Sequence, residues 1–294
     1  MKKGIILAGG KGTRLSPLTR VTSKQLLPVY DKPMICYPLS VLMYAGIQDI
    51  LIVSSPLDLP RFRNLFEDGS HLGIRISYSV QHEPLGIAHA LLVAEEFIQN
   101  EPVALILGDN IFYGAELFTF LQMAKKDPTG VTIFGYPVKD PTRYGVIQFD
   151  DDGRVGRIIE KPEFPPSKYA VTGLYFYDGN VTRLAKKLRP SARGEYEITD
   201  LNNLYLERGE LKLVMFSEGF VWLDSGNFEE LHKASQYVKL VQEMHNTKIA
   251  AIEKIAYEMG FITLDRFIEI AKSHEASDYG KYLLEYAAKE ESFS

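Results

Sequence analysis

A glycine-rich turn follows a short apolar run, residues 5–8, near the amino terminus. The turn has the sequence Gly9-Gly10-Lys11-Gly12-Thr13-Arg14. Because glycine has no Cβ, its backbone N–H groups can approach an anion closely, and the Arg14 guanidinium adds paired donors for phosphate oxygens. The turn therefore predicts a phosphate site, although a tight turn with a solvated lysine and arginine accounts for the same residues.

Two familiar phosphate motifs do not fit this turn. A P-loop ends in Gly-Lys-Ser/Thr, whereas Lys11 is followed by Gly12, and the dinucleotide fingerprint needs a glycine where the chain has Leu15. Further on, Lys24 and Gln25 supply a point charge and an amide, which suit a phosphate and a base or sugar. Alternatively, Lys24 and Gln25 are ordinary surface residues in contact with water.

Two aspartates each stand at the end of a short apolar run. Asp109 follows residues 103–108, and Asp224 follows Val221-Trp222-Leu223. Ligands of open α/β sheets bind at the carboxyl ends of the strands, where Asp109 is therefore expected. The spacing of Asp109 and Asp224 does not by itself show that they are close in space. Each is also a common residue type at a helix N-cap or in a turn.

Short strands alternate with helical patterns over the first 110 residues. Strands are expected at 5–8, 50–54, 74–80 and 103–107, and helices at 35–45, 59–66 and 87–98. Further strands are expected at 131–138, 145–149, 157–160, 170–177 and 211–216, with helices at 181–188 and 198–207. The pattern predicts an α/β, Rossmann-like three-layer fold with a mixed, mostly parallel sheet. We expect residues 1–226 to form its core and residues 227–294 to form a C-terminal helical appendage rather than an independent domain.

Composition excludes several classes of protein. The 294 residues include 33 Lys plus Arg and 38 Asp plus Glu, a net charge of −5, which argues against a nucleic-acid partner. Cys36 is the only cysteine, so no intrachain disulfide or cysteine metal cluster is possible. The apolar runs are too short for a secretory signal or a membrane span, which predicts a soluble, cytoplasmic protein without a membrane partner.

Several ordered motifs together resemble the sugar-1-phosphate nucleotidylyltransferases. They are GIILAGGKGTR (residues 4–14), SKQLLPVYDKPMI (23–35), VALILGDNIFYG (103–114), YGVIQFD (144–150), IIEKP (158–162), GLYFYD (173–178), RGEYEITD (193–200) and WLDSG (222–226). The chain is most similar to members of that family that use dTTP and glucose 1-phosphate. The resemblance extends over essentially the whole chain.

The resemblance implies a reaction. A sugar-1-phosphate oxygen attacks the α-phosphorus of dTTP in line, dTDP-glucose forms and pyrophosphate leaves, in the first step of a dTDP-rhamnose type of deoxysugar synthesis. Mg²⁺ is the implied cofactor, with Asp109 and Asp224 as its ligands. The implied assembly is a homo-oligomer, a tetramer.

The resemblance also implies roles for individual residues. The implied catalytic residues are Arg14, Lys24, Asp109 and Lys161. The nucleotide-binding residues are Leu7, Gly9, Gly10, Gly12, Thr13, Arg14, Lys24, Gln25, Gln81, Gly86 and Asp109. The residues that bind the sugar phosphate are Asn110, Tyr144, Gly145, Glu160, Lys161, Val171, Tyr175 and Arg193.

Three positions depart from the family pattern. Thr172 replaces a common proline, Ser225 replaces a common threonine, and Glu258 stands where relatives often carry arginine near a regulatory nucleotide site. An acid facing a phosphate would weaken binding, which puts that second site in doubt. Two alternatives to the main interpretation stay open: the same chemistry with UTP or another hexose 1-phosphate, and a non-catalytic sensor that binds sugar nucleotides.

Overall fold

The computed structural model describes residues 1–10 and 12–293; Lys11 of the glycine-rich turn and Ser294 lie outside the described residues. The strands are β1 (Lys3–Ala8), β2 (Pro28–Val29), β3 (Lys32–Pro33), β4 (Asp49–Ser54), β5 (Arg75–Val80), β6 (Val103–Leu107), β7 (Asn110–Tyr113), β8 (Val131–Pro137), β9 (Gly145–Phe149), β10 (Val155–Glu160), β11 (Tyr169–Tyr177), β12 (Leu211–Met215) and β13 (Val221–Asp224).

The helices alternate with these strands at first and then follow one another. They are α1 (Cys36–Tyr44), α2 (Leu59–Phe66), α3 (Ile87–Val93), α4 (Glu95–Ile98), α5 (Leu117–Lys126), α6 (Val181–Ala185), α7 (Ile198–Glu207), α8 (Phe228–His245), α9 (Ile252–Glu258), α10 (Leu264–Ser273) and α11 (Asp278–Phe293). Within the described residues, no helix has the length and apolar character needed to cross a bilayer.

The main sheet is mixed, with its parallel strands on one side. Strands β5, β4, β1 and β6 are parallel neighbours in that order, and β11 adds to β6 in the antiparallel sense. Strand β11 also pairs with β8 and β9, β9 forms a hairpin with β10, and β12 runs parallel to β8. Strands β7 and β13 form a separate antiparallel ribbon beside the sheet.

Alternating side chains of the central strands enter two apolar cores, one on each face of the sheet. In β1, Ile6 belongs to the core that includes α1, and Ile5 belongs to the core that includes α3. In β6, Ile106 and Leu105 divide in the same way. Strands buried on both faces have nearly continuous apolar sequences, which explains why the runs in the sequence predicted them.

The predicted fold class is confirmed, and the structure shifts several boundaries. The helix expected at 87–98 is interrupted at Ala94 and becomes α3 and α4, and the helix expected at 181–188 ends at Ala185. The strands at 103–107 and 145–149 have the expected bounds. The sequence patterns did not predict helix α5 or the ribbon of β7 and β13.

Candidate active site

Two cavities open near the carboxyl ends of the parallel strands. The larger, of about 560 Å³, includes Arg14, Asp109, Lys161 and Asp224 in its wall. The smaller, of about 320 Å³, includes Gly9, Gly10, Lys24 and Gln81. A third cavity, of about 1040 Å³, lies at the amino ends of the parallel strands, and none of the predicted residues lines it.

The glycine-rich turn leaves β1 with its backbone in conformations that suit glycine. Gly10 and Gly12 have positive φ angles of 97° and 57°. The Thr19 hydroxyl donates to the Gly12 carbonyl at 2.9 Å, which fixes the exit of the turn. Thr13 and Arg14 follow in a 3₁₀ turn, and Arg14 is exposed without a hydrogen bond or ion pair to any described residue. Its guanidinium is thus available to an anion.

Lys24 and Asp109 form an ion pair between the two cavities. The Lys24 ammonium donates to Oδ2 of Asp109, and Asn110 Nδ2 donates to Oδ1 at 2.9 Å. Burial disfavours the charge of Asp109, but the adjacent Lys24 charge and the two hydrogen bonds outweigh it and lower the pKa of the Asp109 carboxyl. Asp109 is therefore an anion that the fold stabilises.

The ribbon of β7 and β13 brings Asp224 to this pair. Asp224 stands opposite Asn110 in the ribbon, and the Ser225 N–H donates to the Asp109 carbonyl at 3.1 Å. Burial, and next the charge of Asp109, raise the pKa of Asp224 to about 6, against smaller effects of Lys24, Arg143 and Arg14. The two predicted metal ligands therefore meet, and their mutual repulsion marks a place that favours a cation.

The residues at this place fit Mg²⁺. The described residues hold no group of three or more acidic, histidine or cysteine side chains that could enclose a metal ion by themselves. Mg²⁺ commonly takes one or two carboxylates and completes its shell with water and substrate phosphates. Asp109 and Asp224 supply such a donor set, with the Lys24 ammonium competing for one oxygen.

Asn110 connects the carboxylates to the wall of the larger cavity. Its Oδ1 accepts from the Trp222 indole N–H at 2.7 Å and from the Gly173 N–H at 3.1 Å. A Cβ at position 173 would lie 2.5 Å from that oxygen, so only glycine permits this approach. Asn110 lines the larger cavity, with its amide oxygen already engaged.

The other predicted sugar-side residues gather around Glu160. Its carboxylate accepts from the Thr199 hydroxyl and lies 3.6 Å from the Lys161 ammonium. Lys161 has a φ of 43°, a left-handed conformation that is strained for lysine and typical of functional sites. The remaining predicted residues that line the larger cavity are Tyr144, Gly145, Val171 and Tyr175.

Arg193 does not line either cavity. Its guanidinium lies 2.7 Å from Glu197, 3.2 Å from Glu195 and 3.4 Å from Glu160. Three carboxylates thus occupy the fork that the sequence assigned to the sugar phosphate. These contacts use Nε and Nη2 of the guanidinium, and Nη1 makes no hydrogen bond to a described residue.

The predicted base-binding residues lie around the smaller cavity. Gln81 lines it, whereas Gln25 is buried beside it, accepts from the Ser23 hydroxyl at 2.6 Å and donates to the Gly9 carbonyl at 3.3 Å. Gly86 has a φ of 104°, and a Cβ there would lie 2.5 Å from the Tyr196 carbonyl. Leu7, Gly12, Thr13, Gln25 and Gly86 line neither cavity.

Arg143 is a residue of the site that the sequence did not predict. It lines the larger cavity, and its Nη2 lies 3.6 Å from Asp224, too far for a hydrogen bond. That nitrogen is buried and has no hydrogen-bond partner among the described residues. Its position directly before the Tyr144-Gly145 motif is the signal that could have identified it.

The departures at 172, 225 and 258 have different surroundings. The hydroxyls of Thr172 and Ser225 are buried and lack a hydrogen-bond partner within the described chain. Glu258 is 3.0 Å from the Lys254 ammonium and accepts from the Tyr286 hydroxyl, also at 3.0 Å.

Comparison with known proteins identifies the family of the chain. The "Nucleotidyl transferase" family matches residues 3–240. The glucose-1-phosphate thymidylyltransferase of Neisseria meningitidis is 52% identical over 98% of this chain and 100% of that protein, and the enzyme of that name from Mycolicibacterium smegmatis is 50% identical over 98% of this chain and 100% of that protein.

Solved structures resemble the fold as well. A Bacillus anthracis protein provisionally named glucose-1-phosphate thymidylyltransferase, crystallised with sucrose, has a TM-score of 0.75, 40% identity and coverage of 81% of this chain and 95% of its own. A UDP-glucose pyrophosphorylase crystallised with UDP-glucose has a TM-score of 0.73, 26% identity and coverage of 82% and 99%. The chain belongs to the nucleotidyl transferase family, in the group of the glucose-1-phosphate thymidylyltransferases.

Proposed function

We propose that the protein joins dTTP to α-D-glucose 1-phosphate, giving dTDP-glucose and pyrophosphate. The observation that carries the proposal is the Lys24–Asp109 ion pair between two cavities. One cavity lies beside the glycine-rich turn, and the other is lined by polar side chains that can hydrogen-bond a sugar. Two relatives named for this activity share about half of the residues over nearly the whole chain.

The proposed reaction is a displacement at phosphorus. An oxygen of the sugar phosphate attacks the α-phosphorus of the triphosphate, the new P–O bond forms as the bond to the β-phosphate oxygen breaks, and pyrophosphate takes the electron pair. Both substrates are anions, so the protein has to hold them together and neutralise their charge. No proton has to be removed by a side chain.

The cations of the two cavities have separate tasks in this proposal. The glycine-rich turn and Arg14 hold the triphosphate, because the exposed Arg14 guanidinium makes no hydrogen bond or ion pair to a described residue. Lys161 holds the sugar phosphate from the other side, and Glu160 accepts from sugar hydroxyls. Lys24 neutralises charge at the point where the substrates meet.

Asp109 and Asp224 would hold Mg²⁺, which supplies Lewis-acid neutralisation of phosphate charge when bound. We further propose a homo-oligomer, a tetramer, supported by apolar side chains that are exposed on α8 and α5, such as Leu240 and Phe118. A cytoplasmic location and a role at the start of dTDP-rhamnose type deoxysugar synthesis complete the proposal.

A substrate matrix tests the proposal. Pyrophosphate release is measured with four nucleoside triphosphates against several sugar phosphates, with and without Mg²⁺, and the product is identified by mass spectrometry. The proposal expects the highest kcat/KM for dTTP with glucose 1-phosphate. A higher value for UTP or another hexose phosphate would replace the named substrates, and binding of dTDP-glucose without turnover would favour the non-catalytic sensor.

A further inference from the structure

The amide nitrogen of Gln81 faces two acceptors inside the protein. Its Nε2 lies 3.3 Å from the Gly86 carbonyl oxygen and 3.0 Å from Nδ1 of His89. An amide nitrogen has two N–H groups and can donate to both. The reversed amide would set its oxygen against the Gly86 carbonyl, so the contacts fix which end of Gln81 points into the cavity.

Both acceptors are held rigidly. The Tyr196 N–H donates to the Leu85 carbonyl at 2.7 Å, and the Tyr196 carbonyl accepts from the Ala88 N–H at 3.2 Å. These two hydrogen bonds hold the segment around Gly86 in place. The His89 ring, on α3, stacks on the Tyr196 ring with 5.9 Å between centroids. Burial lowers the pKa of His89 despite the opposing charge of Glu83, so a neutral ring with a free acceptor nitrogen prevails at pH 7.

The Gln81 amide oxygen consequently faces the smaller cavity. A Cβ at Gly9 would lie 3.1 Å from this oxygen, which places the oxygen against the glycine-rich turn. Gln81 is 6% exposed, and no described residue donates to Oε1. A bound base is therefore met by a fixed acceptor.

We propose that His89 is a positioning residue for base choice: by accepting from Gln81 Nε2, it presents Oε1 as an acceptor to the base. Thymine and uracil carry a donor at N3, whereas cytosine carries an acceptor there, so an acceptor on the protein favours the first two. This inference rests on the proposed function, because it assumes that the base occupies the smaller cavity. It adds a residue that does not touch the base.

The test compares dUTP with dCTP, which differ only in the base edge that Gln81 faces. The measured quantity is the ratio of their kcat/KM values in pyrophosphate release with glucose 1-phosphate. His89→Leu removes the acceptor and frees the amide to rotate, so the ratio is expected to fall at least about tenfold. His89→Gln returns an acceptor oxygen and is expected to restore most of the ratio, and His232→Leu, an exposed histidine on α8, serves as the control.

Each outcome decides the inference. A ratio in His89→Leu within twofold of the unchanged protein would overturn it, as would an equal loss in His89→Gln. If His89→Leu melts early, His89→Lys, which offers only donors, carries the same test. If the unchanged protein turns over neither dUTP nor dCTP, calorimetric affinities of dUDP and dCDP for the same variants decide the role of His89. The proposed function fails separately, and only if dTTP with glucose 1-phosphate gives no turnover.

Discussion

The ammonium of Lys24 is paired with the carboxylate of Asp109 at the boundary between the two cavities. Asp224 stands next to this pair. The pKa of Asp109 is lowered by the adjacent Lys24 charge, whereas the pKa of Asp224 is raised by burial and by the charge of Asp109. The fold thus stabilises the charged form of Asp109 and disfavours the charged form of Asp224. This contrast leads to predictions about stability as well as activity.

The first prediction concerns the stability of the two asparagine variants without metal. Asp109→Asn leaves the Lys24 ammonium buried without its counter-charge and is expected to destabilise the protein by about 1–3 kcal/mol. Asp224→Asn removes a repelled carboxylate and is expected to stabilise it by about 1–3 kcal/mol at pH 7.5. Thermal melts in EDTA measure both changes, and melting temperatures that move in the same direction would contradict the electrostatic assignment.

The second prediction concerns the pH dependence of that gain. The folded pKa of Asp224, about 6, lies above the ordinary value of 3.8, so ionisation costs stability in the folded state. The cost is full above pH 6 and vanishes as the pH falls towards 4. The advantage of Asp224→Asn should therefore shrink over that interval in melts at successive pH values, and an advantage that does not vary with pH would refute the assignment.

Metal binding should respond to the same group. A proton on Asp224 competes with Mg²⁺, so the rise in melting temperature caused by Mg²⁺ is expected to diminish as the pH falls below about 6. Titrations of Mg²⁺ at pH 5 and pH 7.5 measure this, with Asp224→Asn as the variant that should respond little at either pH. A larger shift at pH 5 would exclude Asp224 as a ligand.

Lys161 provides a test of strain. Its φ of 43° costs lysine or alanine about 1 kcal/mol and costs glycine little. Lys161→Gly and Lys161→Ala should both lower kcat/KM for glucose 1-phosphate by at least about tenfold, since each removes the ammonium. The glycine variant should be the more stable by about 1 kcal/mol in denaturant unfolding, and equal stability would argue against the left-handed conformation.

Arg143 provides a test of a guanidinium nitrogen that makes no hydrogen bond to any described residue. We expect its buried Nη2 to bind an anionic substrate oxygen, and a charged hydrogen bond of this kind contributes about 1.5–3 kcal/mol. Arg143→Gln should then lower kcat/KM by roughly 10–100-fold. Arg154→Gln, in the exposed turn between β9 and β10, is the matched control, and similar values for the two variants would remove Arg143 from the site.

The sequence predicted the parts of this site that depend on local pattern. Gly9 and Asp109 follow apolar runs that form neighbouring parallel strands, so their meeting at one edge follows from the strand pattern. The approach of Asp224 depends on a ribbon between β7 and β13, and no local pattern encodes a pairing so distant in the chain. The engagement of Arg193 by three carboxylates is likewise a product of tertiary packing, as is the Arg143 nitrogen that makes no hydrogen bond to a described residue.

The role of the Lys24–Asp109 pair in the reaction is tested most directly by the turnover of Asp109→Asn. Asp152→Asn, which changes an exposed aspartate in the turn between β9 and β10, is the control. Pyrophosphate release from dTTP and glucose 1-phosphate is measured at saturating Mg²⁺. We expect kcat to be at least about 100-fold lower in Asp109→Asn and unchanged in Asp152→Asn. Turnover of Asp109→Asn within a few-fold of the unchanged protein would contradict the claim that the reaction takes place at the Lys24–Asp109 pair.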